Sequence, residues 1–240
     1  GAAFQSIFSN ALATPDTLGV AAGSSFGAAL ALLLGMGLIT VQVSALAIGF
    51  VAVLMTYIIS RQKSGASTVM VILSGMVIAS LFEAGISIIK FIADTESQLP
   101  AITYWLMGSL ANTSFSSLAL GAPFIVAGIA VIFALRWKLN VLMLSEDEAK
   151  TMGVNIRMMR VIVALAATMI TASCVSMCGQ VGWVGLLIPH ICRMLFGSNN
   201  QNIVPASISL GAVFLLIMDT VARSATAAEI PISILTSVIG

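Results

Sequence analysis

Few residues in this chain have side chains that could do chemistry. Glu83 stands alone in a long apolar run, His190 is the only histidine, Cys174, Cys178 and Cys192 are the three cysteines, and a charged stretch, LSEDEAKTMGVNIRMMR, covers Leu144 to Arg160. A metal site needs several ligands at matched spacing, and His190 follows Pro189 with no cluster of cysteines or carboxylates around it, so a metal centre is not expected. His190 is read as part of a packing motif with Pro189 and Ile191. The odd number of cysteines, with Cys174 and Cys178 one helical turn apart in apolar surroundings, points to small packing residues and not to a disulfide. No phosphate-binding G-x-x-x-x-G-K-[ST] loop occurs, so this chain is not expected to bind ATP. The isolated titratable groups do not converge as an active site requires.

Composition explains the isolation. The 240 residues are 59% hydrophobic and 8% charged, with a mean hydropathy of +1.10. No water-soluble fold hides that much hydrocarbon beneath so few charges. A bilayer span takes about 20 mostly apolar residues, and seven candidates can be marked: Ala21 to Ile39, Val41 to Ser60, Val69 to Ile92, Ser116 to Leu135, Ile156 to Cys178, Trp183 to Phe196 and Pro205 to Ala222. Partial spans stand at Gly1 to Phe8 and Pro231 to Gly240, so the chain reads as one transmembrane domain, residues 1–240, cut from a longer protein at both ends. Backbone hydrogen bonding inside lipid makes such a chain helical; the expected class is an all-α polytopic membrane protein. Gly19, Gly23 and Gly27, and less regularly Gly108, Ala111 and Ser114, are expected to let helices approach closely.

Orientation follows from the basic residues. Threading the spans alternately puts Arg61, Lys63, Arg136, Lys138, Lys150, Arg157, Arg160 and Arg193 on one side and only Lys90 and Arg223 on the other. The rich side is cytoplasmic. The stretch 144–155 is therefore a cytoplasmic loop, and Asp94 and Glu96 face outward. The net charge of +1 conceals this asymmetry, and nothing in the pattern suggests nucleic acid.

Five ordered segments carry a family resemblance. They are QSIFSNALATPDTLGVAAG (Gln5 to Gly23), YWLMGSL (Tyr104 to Leu110), LSEDEAKTMGV (Leu144 to Val154), GQVGWVGLLIPHICRMLFG (Gly179 to Gly197) and DTVARSATAAEIPISILTSVIG (Asp219 to Gly240). Along almost its whole length the chain resembles the FecCD-type permeases of type II ATP-binding-cassette (ABC) importers, which carry iron chelates, haem and cobalamin. Family members have ten helices, which implies that this chain lacks the first, part of the second and the end of the tenth. The resemblance also implies a homodimer in the bacterial or archaeal inner membrane. It further implies two separate ATPase subunits holding ATP and Mg, an extracytoplasmic substrate-binding protein, and ATP-driven alternating access. The expected cargo is a ferric siderophore, with haem, cobalamin or an oxyanion as alternatives. No cofactor is expected on this chain.

The same resemblance assigns residues. Ser145 followed by Glu146, Asp147 and Glu148 suits the start of a short helix, with Gly153 ending it; the resemblance makes this the helix that seats in the ATPase, with Glu148, Ala149, Gly153 and Val154 at matching positions. A merely solvated loop is the competing reading. Arg223 takes the position that docks the binding protein, against an intramolecular pair with Asp219 four residues earlier. The cytoplasmic gate falls at Asn10, Leu12, Ser67 and Thr68, although Ala11 replaces the family's usual proline. Glu83, in mid-span, either lines the translocation pathway or is a carboxyl kept protonated or hydrogen-bonded between helices. A secondary transporter using Glu83 as its ion site is the rival from another class.

Overall fold

The computed structural model of the protein describes residues 1–60, 68–111, 113–144, 148, 152–225 and 229–240. Among these every regular element is helical. They run α1 (Ala2–Ile7), a 3-10 turn (Pro15–Leu18), α2 (Val20–Leu33), α3 (Leu38–Ser60), α4 (Thr68–Ile92), α5 (Gln98–Leu106) and α6 (Phe115–Leu135). They continue with α7 (Lys138–Val141), α8 (Ile156–Cys178), α9 (Val184–Phe196), α10 (Asn200–Ser224) and α11 (Ile232–Ile239).

Five of these helices, α3, α4, α6, α8 and α10, are long and apolar enough to cross a membrane. The other two expected spans correspond to the shorter apolar helices α2 and α9. α2 stops at Leu33, not Ile39, because Gly35 turns left-handed at φ 66°. There the Gly35 N–H donates to the Leu32 carbonyl and the Met36 N–H to the Ala31 carbonyl, the paired bonds that close a helix at glycine. At 1.5 Å per residue its 14 residues reach only about 21 Å. α9 has 13 residues and is short for the same reason of length. The Gly108, Ala111 and Ser114 strip is a second correction: these residues lie between α5 and α6, and Ser114 caps α6 by accepting from the Ser117 N–H at 3.2 Å.

α8 is the most enclosed of the five long helices, with half of its most apolar stretch buried. Val163, Ala164, Ala166, Ala167 and Ala172 of α8 join Phe4 and Ile7 of α1, Phe8 just after it, Leu46 and Val53 of α3, and Leu139 and Leu142 around α7 in the largest apolar cluster. The turns assigned to the cytoplasm meet at one end of the bundle: Ser9 Oγ donates to the Leu142 carbonyl at 3.3 Å, and Asn140 Nδ2 donates to Asn199 Oδ1 at 2.9 Å. At the other end Gln98 Nε2 donates to the Leu33 carbonyl at 2.9 Å, and the Ile232 N–H to the Gly108 carbonyl at 3.0 Å.

Glycine sets the spacing between α2, α3 and α4, as the sequence strip predicts. A Cβ on Gly27 would stand 2.6 Å from the Ser44 carbonyl oxygen, and one on Gly75 would land on the Thr17 carbonyl. That proximity lets Ser44 Oγ donate to the Gly27 carbonyl at 2.9 Å. Thr56 Oγ1 donates to the Leu18 carbonyl at 3.0 Å, fastening the 3-10 turn to α3. Gly27→Ala is expected to lower the unfolding temperature of the purified permease, at a cost of about 1–3 kcal/mol. Gly37→Ala, where an added Cβ meets nothing within 4 Å, should leave it unchanged. Thermal unfolding in detergent measures both, and equal effects would refute the close-approach account.

Candidate translocation and coupling sites

The turn after α1, expected on the cytoplasmic side, is built from local polar bonds. Ser9 sits at φ 47°, reversing the chain, and Asn10 Oδ1 accepts the Leu12 N–H at 2.9 Å. This side-chain turn fixes the backbone ahead of Leu12 without the proline that Ala11 replaces. Leu12 is consequently thrust outward, 74% exposed. Beneath it, the nearly buried Gln5 bridges two elements. Its Nε2 donates to the Ala11 carbonyl at 2.8 Å, and its Oε1 accepts from Arg193 Nε and Nη2 at 3.3 and 3.1 Å. Thr68 opens α4 and is half-buried; Ser67 lies outside the described residues.

The 3-10 turn Pro15–Leu18 then runs along α4. Gly19 faces Gly75 and Ala79, the first of which lies about 10 Å from the cytoplasmic end of α4 by helical rise. Non-helical backbone at membrane depth is tolerated only where protein buries it or water lines it. Asp16 of this turn stands within electrostatic reach of Glu83. Glu83 itself is exposed on α4 in the single chain, not enclosed between this chain's own helices. Among the described residues it makes no ion pair with Lys90. α4 buries only Val71, Ser74, Gly75, Ile78 and Ile89, and Glu83 shares the open side with Met76, Val77, Leu81 and Ile88.

In the loop 144–155, Glu148 is exposed and helical, and Ala149 lies outside the described residues, as do 145–147 and 150–151. Gly153 adopts φ 70°, the left-handed conformation expected of a residue closing a helix. Val154 packs against the main apolar cluster, and Asn155 caps α8, accepting the Met158 N–H at 3.0 Å. The loop's return is thereby seated firmly in the bundle.

Near the C-terminal end of α10, Arg223 Nε donates to Asp219 Oδ2 at 2.9 Å, with the side chains 44% and 22% exposed. The intramolecular pair therefore forms, and the guanidinium keeps an open side; Glu229 is close enough to act on it electrostatically. His190 is exposed on α9, whereas its neighbours Ile188 and Pro189 are buried. The packing role assigned to it belongs to them. Cys174, Cys178 and Cys192 are free thiols. A cavity of about 240 Å³, lined in part by Gln42, Tyr104, Trp105, Ser109 and Met177, lies among α2, α3, α5, α6 and α8, away from Glu83 and the Leu12 turn.

Sequence reasoning missed the polar groups at the cytoplasmic end: Gln5, Ser6, Asn140, Asn199 and Asn200. The signal available was the amide-rich run SNNQN at 198–202, a helix-capping composition beside an apolar span. Asp16 was also missed, because only the folded 3-10 turn brings it near Glu83.

Comparison with known proteins shows what the chain is similar to. The model of the FecCD transport family matches residues 1–240. The chain is 41% identical over 241 residues to the molybdate import system permease protein MolB of Haemophilus influenzae, covering 100% of this chain and 71% of that protein. It is 33% identical over 245 residues to the Fe(3+)-citrate import system permease protein YfmE of Bacillus subtilis, covering 100% and 72%. Among solved structures, a metal-chelate type ABC transporter in an inward-facing conformation superposes with a TM-score of 0.94 at 39% identity, covering 99% of this chain and 76% of that one. The long apolar helices and this kinship make it a multi-pass inner-membrane permease. The chain belongs to the FecCD transport family.

Proposed function

We propose that two copies of this chain form the pore of a binding-protein-dependent importer that carries a metal chelate, a ferric siderophore first among candidates, into the cytoplasm. Two ATPase subunits, which hold the ATP and Mg, grip loops 144–155 of the two copies. Glu148, Ala149, Gly153 and Val154 take the ATPase contact, Asn10, Leu12, Ser67 and Thr68 the inner gate, and Arg223 the binding protein. ATP closure alternates the pore between outward-open and inward-open states, which requires the ATPase to bind the two with different affinity.

The observation that carries this reading is Glu83 on the open side of α4. A carboxylate facing lipid at mid-span costs at least about 2.5 kcal/mol, so that side belongs against water or a second copy. α6 shows the contrast: it is equally open and carries no Asp, Glu, Lys or Arg, as suits a lipid-facing helix. The identity with MolB favours an oxyanion as the second reading. The 33% identity with the Fe(3+)-citrate permease YfmE and the likeness to the metal-chelate type transporter keep the chelate first.

Reconstitution in liposomes decides the cargo. The full-length permease with its ATPase and binding protein, and ATP inside, is expected to take up labelled ferric chelate and to stop when Glu148, Ala149 and Gly153 are substituted together in an assembled complex. Uptake of haem, cobalamin or molybdate instead would reassign the cargo. Transport lost on collapsing the proton gradient at constant ATP would favour the ion-coupled alternative centred on Glu83.

Arg223→Ala tests the outer face separately. An exposed ion pair is worth at most about 1 kcal/mol, so thermal unfolding of the permease should barely move. Capture of the binding protein by the reconstituted complex is expected to weaken roughly tenfold. Unaltered capture would reduce Arg223 to its pair with Asp219.

A further inference from the structure

A chain this apolar keeps an asparagine in complete burial at its cytoplasmic end. Asn200, the first residue of α10, is 0% exposed. Its N–H donates to Asn140 Oδ1 at 2.9 Å. Its Oδ1 accepts from Ser6 Oγ at 3.2 Å, a hydroxyl that shares its proton with the Ala2 carbonyl at 3.1 Å. Its Nδ2 reaches Met143 Sδ at 3.5 Å. Asn140 completes the layer by donating from Nδ2 to Asn199 Oδ1 at 2.9 Å. A separate bond runs from Ser9 Oγ to the Leu142 carbonyl at 3.3 Å.

The bonds of Asn140, Leu142 and Met143 tie residues 138–143, which run directly into loop 144–155, to the start of α10 and to the turn that presents Leu12, and Ser6 ties α1 to Asn200. Apolar packing reinforces them: Leu139 and Leu142 are both 0% exposed and share a cluster with Phe4, Ile7, Phe8 and Ala13. A buried amide that loses its partner keeps its full desolvation penalty, so these pieces cannot slide apart without orphaning the fully buried Asn200, to which the half-buried Asn140 is bonded. Displacing one of them therefore loads the others. The far side of the same turn is strapped to α9 through Gln5, between Arg193 and the Ala11 carbonyl. Gln5 belongs to α1, so displacement of α7 and α1 relative to α9 loads the Gln5–Arg193 bonds and, through Gln5, the Ala11 carbonyl of the turn.

We infer that Asn140 and Asn200 are positioning residues of the transport cycle, latching the segment that leads into the coupling loop to the gate turn so that displacement of the loop is carried to Leu12. The inference rests on the proposed assignments of loop 144–155 to the ATPase and of Leu12 to the gate. It adds to them a defined route between the two.

The test uses the full-length permease in complex with its ATPase and binding protein, with the three cysteines replaced and Leu12→Cys as reporter. The readout is the change in labelling rate by a water-soluble maleimide between nucleotide-free and ATP-vanadate-trapped complexes. The reference complex should show a clear nucleotide response. Asn140→Leu should shrink that response about tenfold, within the usual range of coupling between sites, while the assembled complex still hydrolyses ATP. Ser9→Ala, which removes a single hydroxyl, should shrink it severalfold and serves where Asn140→Leu fails to assemble.

A lowered unfolding temperature with an undiminished response in either assembled variant would mean that the layer only stabilises, and would overturn the inference. Glu148→Ala combined with Gly153→Ala separates the underlying assignments. If that variant keeps the response, the coupling assignment is rejected and the inference falls with it. If it loses the response while Asn140→Leu and Ser9→Ala keep it, only the latch is rejected. A reference complex with no response rejects the gate assignment and the latch together.

Discussion

The structure depends on how closely the backbones of α2, α3 and α4 approach one another. In lipid, apolar side chains gain little by leaving hydrocarbon tails for each other, so association rests on dispersion contacts and interhelical hydrogen bonds. Both need short distances. Gly27 admits Ser44 to hydrogen-bonding range, Thr56 reaches the Leu18 carbonyl, and Gly75 leaves room for the Thr17 carbonyl against α4. With a methyl at Gly75, the 3-10 turn could not lie where it does. The irregular backbone from Ser9 to Gly19 would then have no protein wall to cover it at membrane depth. The open side of α4, the nearness of Asp16 to Glu83 and the outward thrust of Leu12 follow from that placement.

A second constraint acts at the helix ends. Each long helix leaves backbone N–H groups without intrahelical partners, and here amides and hydroxyls meet that need: Ser114 for α6, Asn155 for α8 and Asn199 for α10. Asn199 also accepts from Asn140, so the cap of α10 is at the same time a contact with the segment preceding the cytoplasmic loop. The groups that terminate helices thus double as connections between elements that no apolar contact would distinguish. In a protein whose interior and surroundings are equally apolar, polar groups at the ends supply register.

Long elements were legible because one physical quantity, uninterrupted hydrophobicity, governs them. Ile156 to Cys178 is both the expected span and the observed helix, and the neighbouring long spans differ by a few residues at their ends. The same quantity misled where glycine decides. The run from Ala21 to Ile39 is apolar throughout, yet Gly35 divides it between two helices. Spacing alone could not say whether Gly108, Ala111 and Ser114 lay on a helix, and they do not. Glu83 was conspicuous in the sequence, but its exposure depends on which side of α4 the 3-10 turn occupies. The asparagine layer was illegible for a related reason: Ser6, Asn140 and Asn200 are far apart in the chain, and only the fold makes them neighbours. Gly153, by contrast, could be placed from its local context, since a glycine closing a short charged segment has one favoured conformation.

The size of the cytoplasmic connections bears on how a motor could use them. Moving a two-state equilibrium from one dominant state to the other takes about 5.5 kcal/mol, and a buried hydrogen bond contributes about 1 kcal/mol net. The three bonds of Ser9 to Leu142, Asn140 to Asn200 and Ser6 to Asn200 therefore supply only about 3 kcal/mol in one copy, short of that figure without apolar packing that moves with them. Leu139 and Leu142 provide it, since burying a leucine contributes about 1.5–3 kcal/mol. The polar layer and the apolar cluster have complementary parts. Packing makes residues 138–143 and α1 stiff enough to transmit a push, and the asparagines fix the one register in which the push arrives at Leu12.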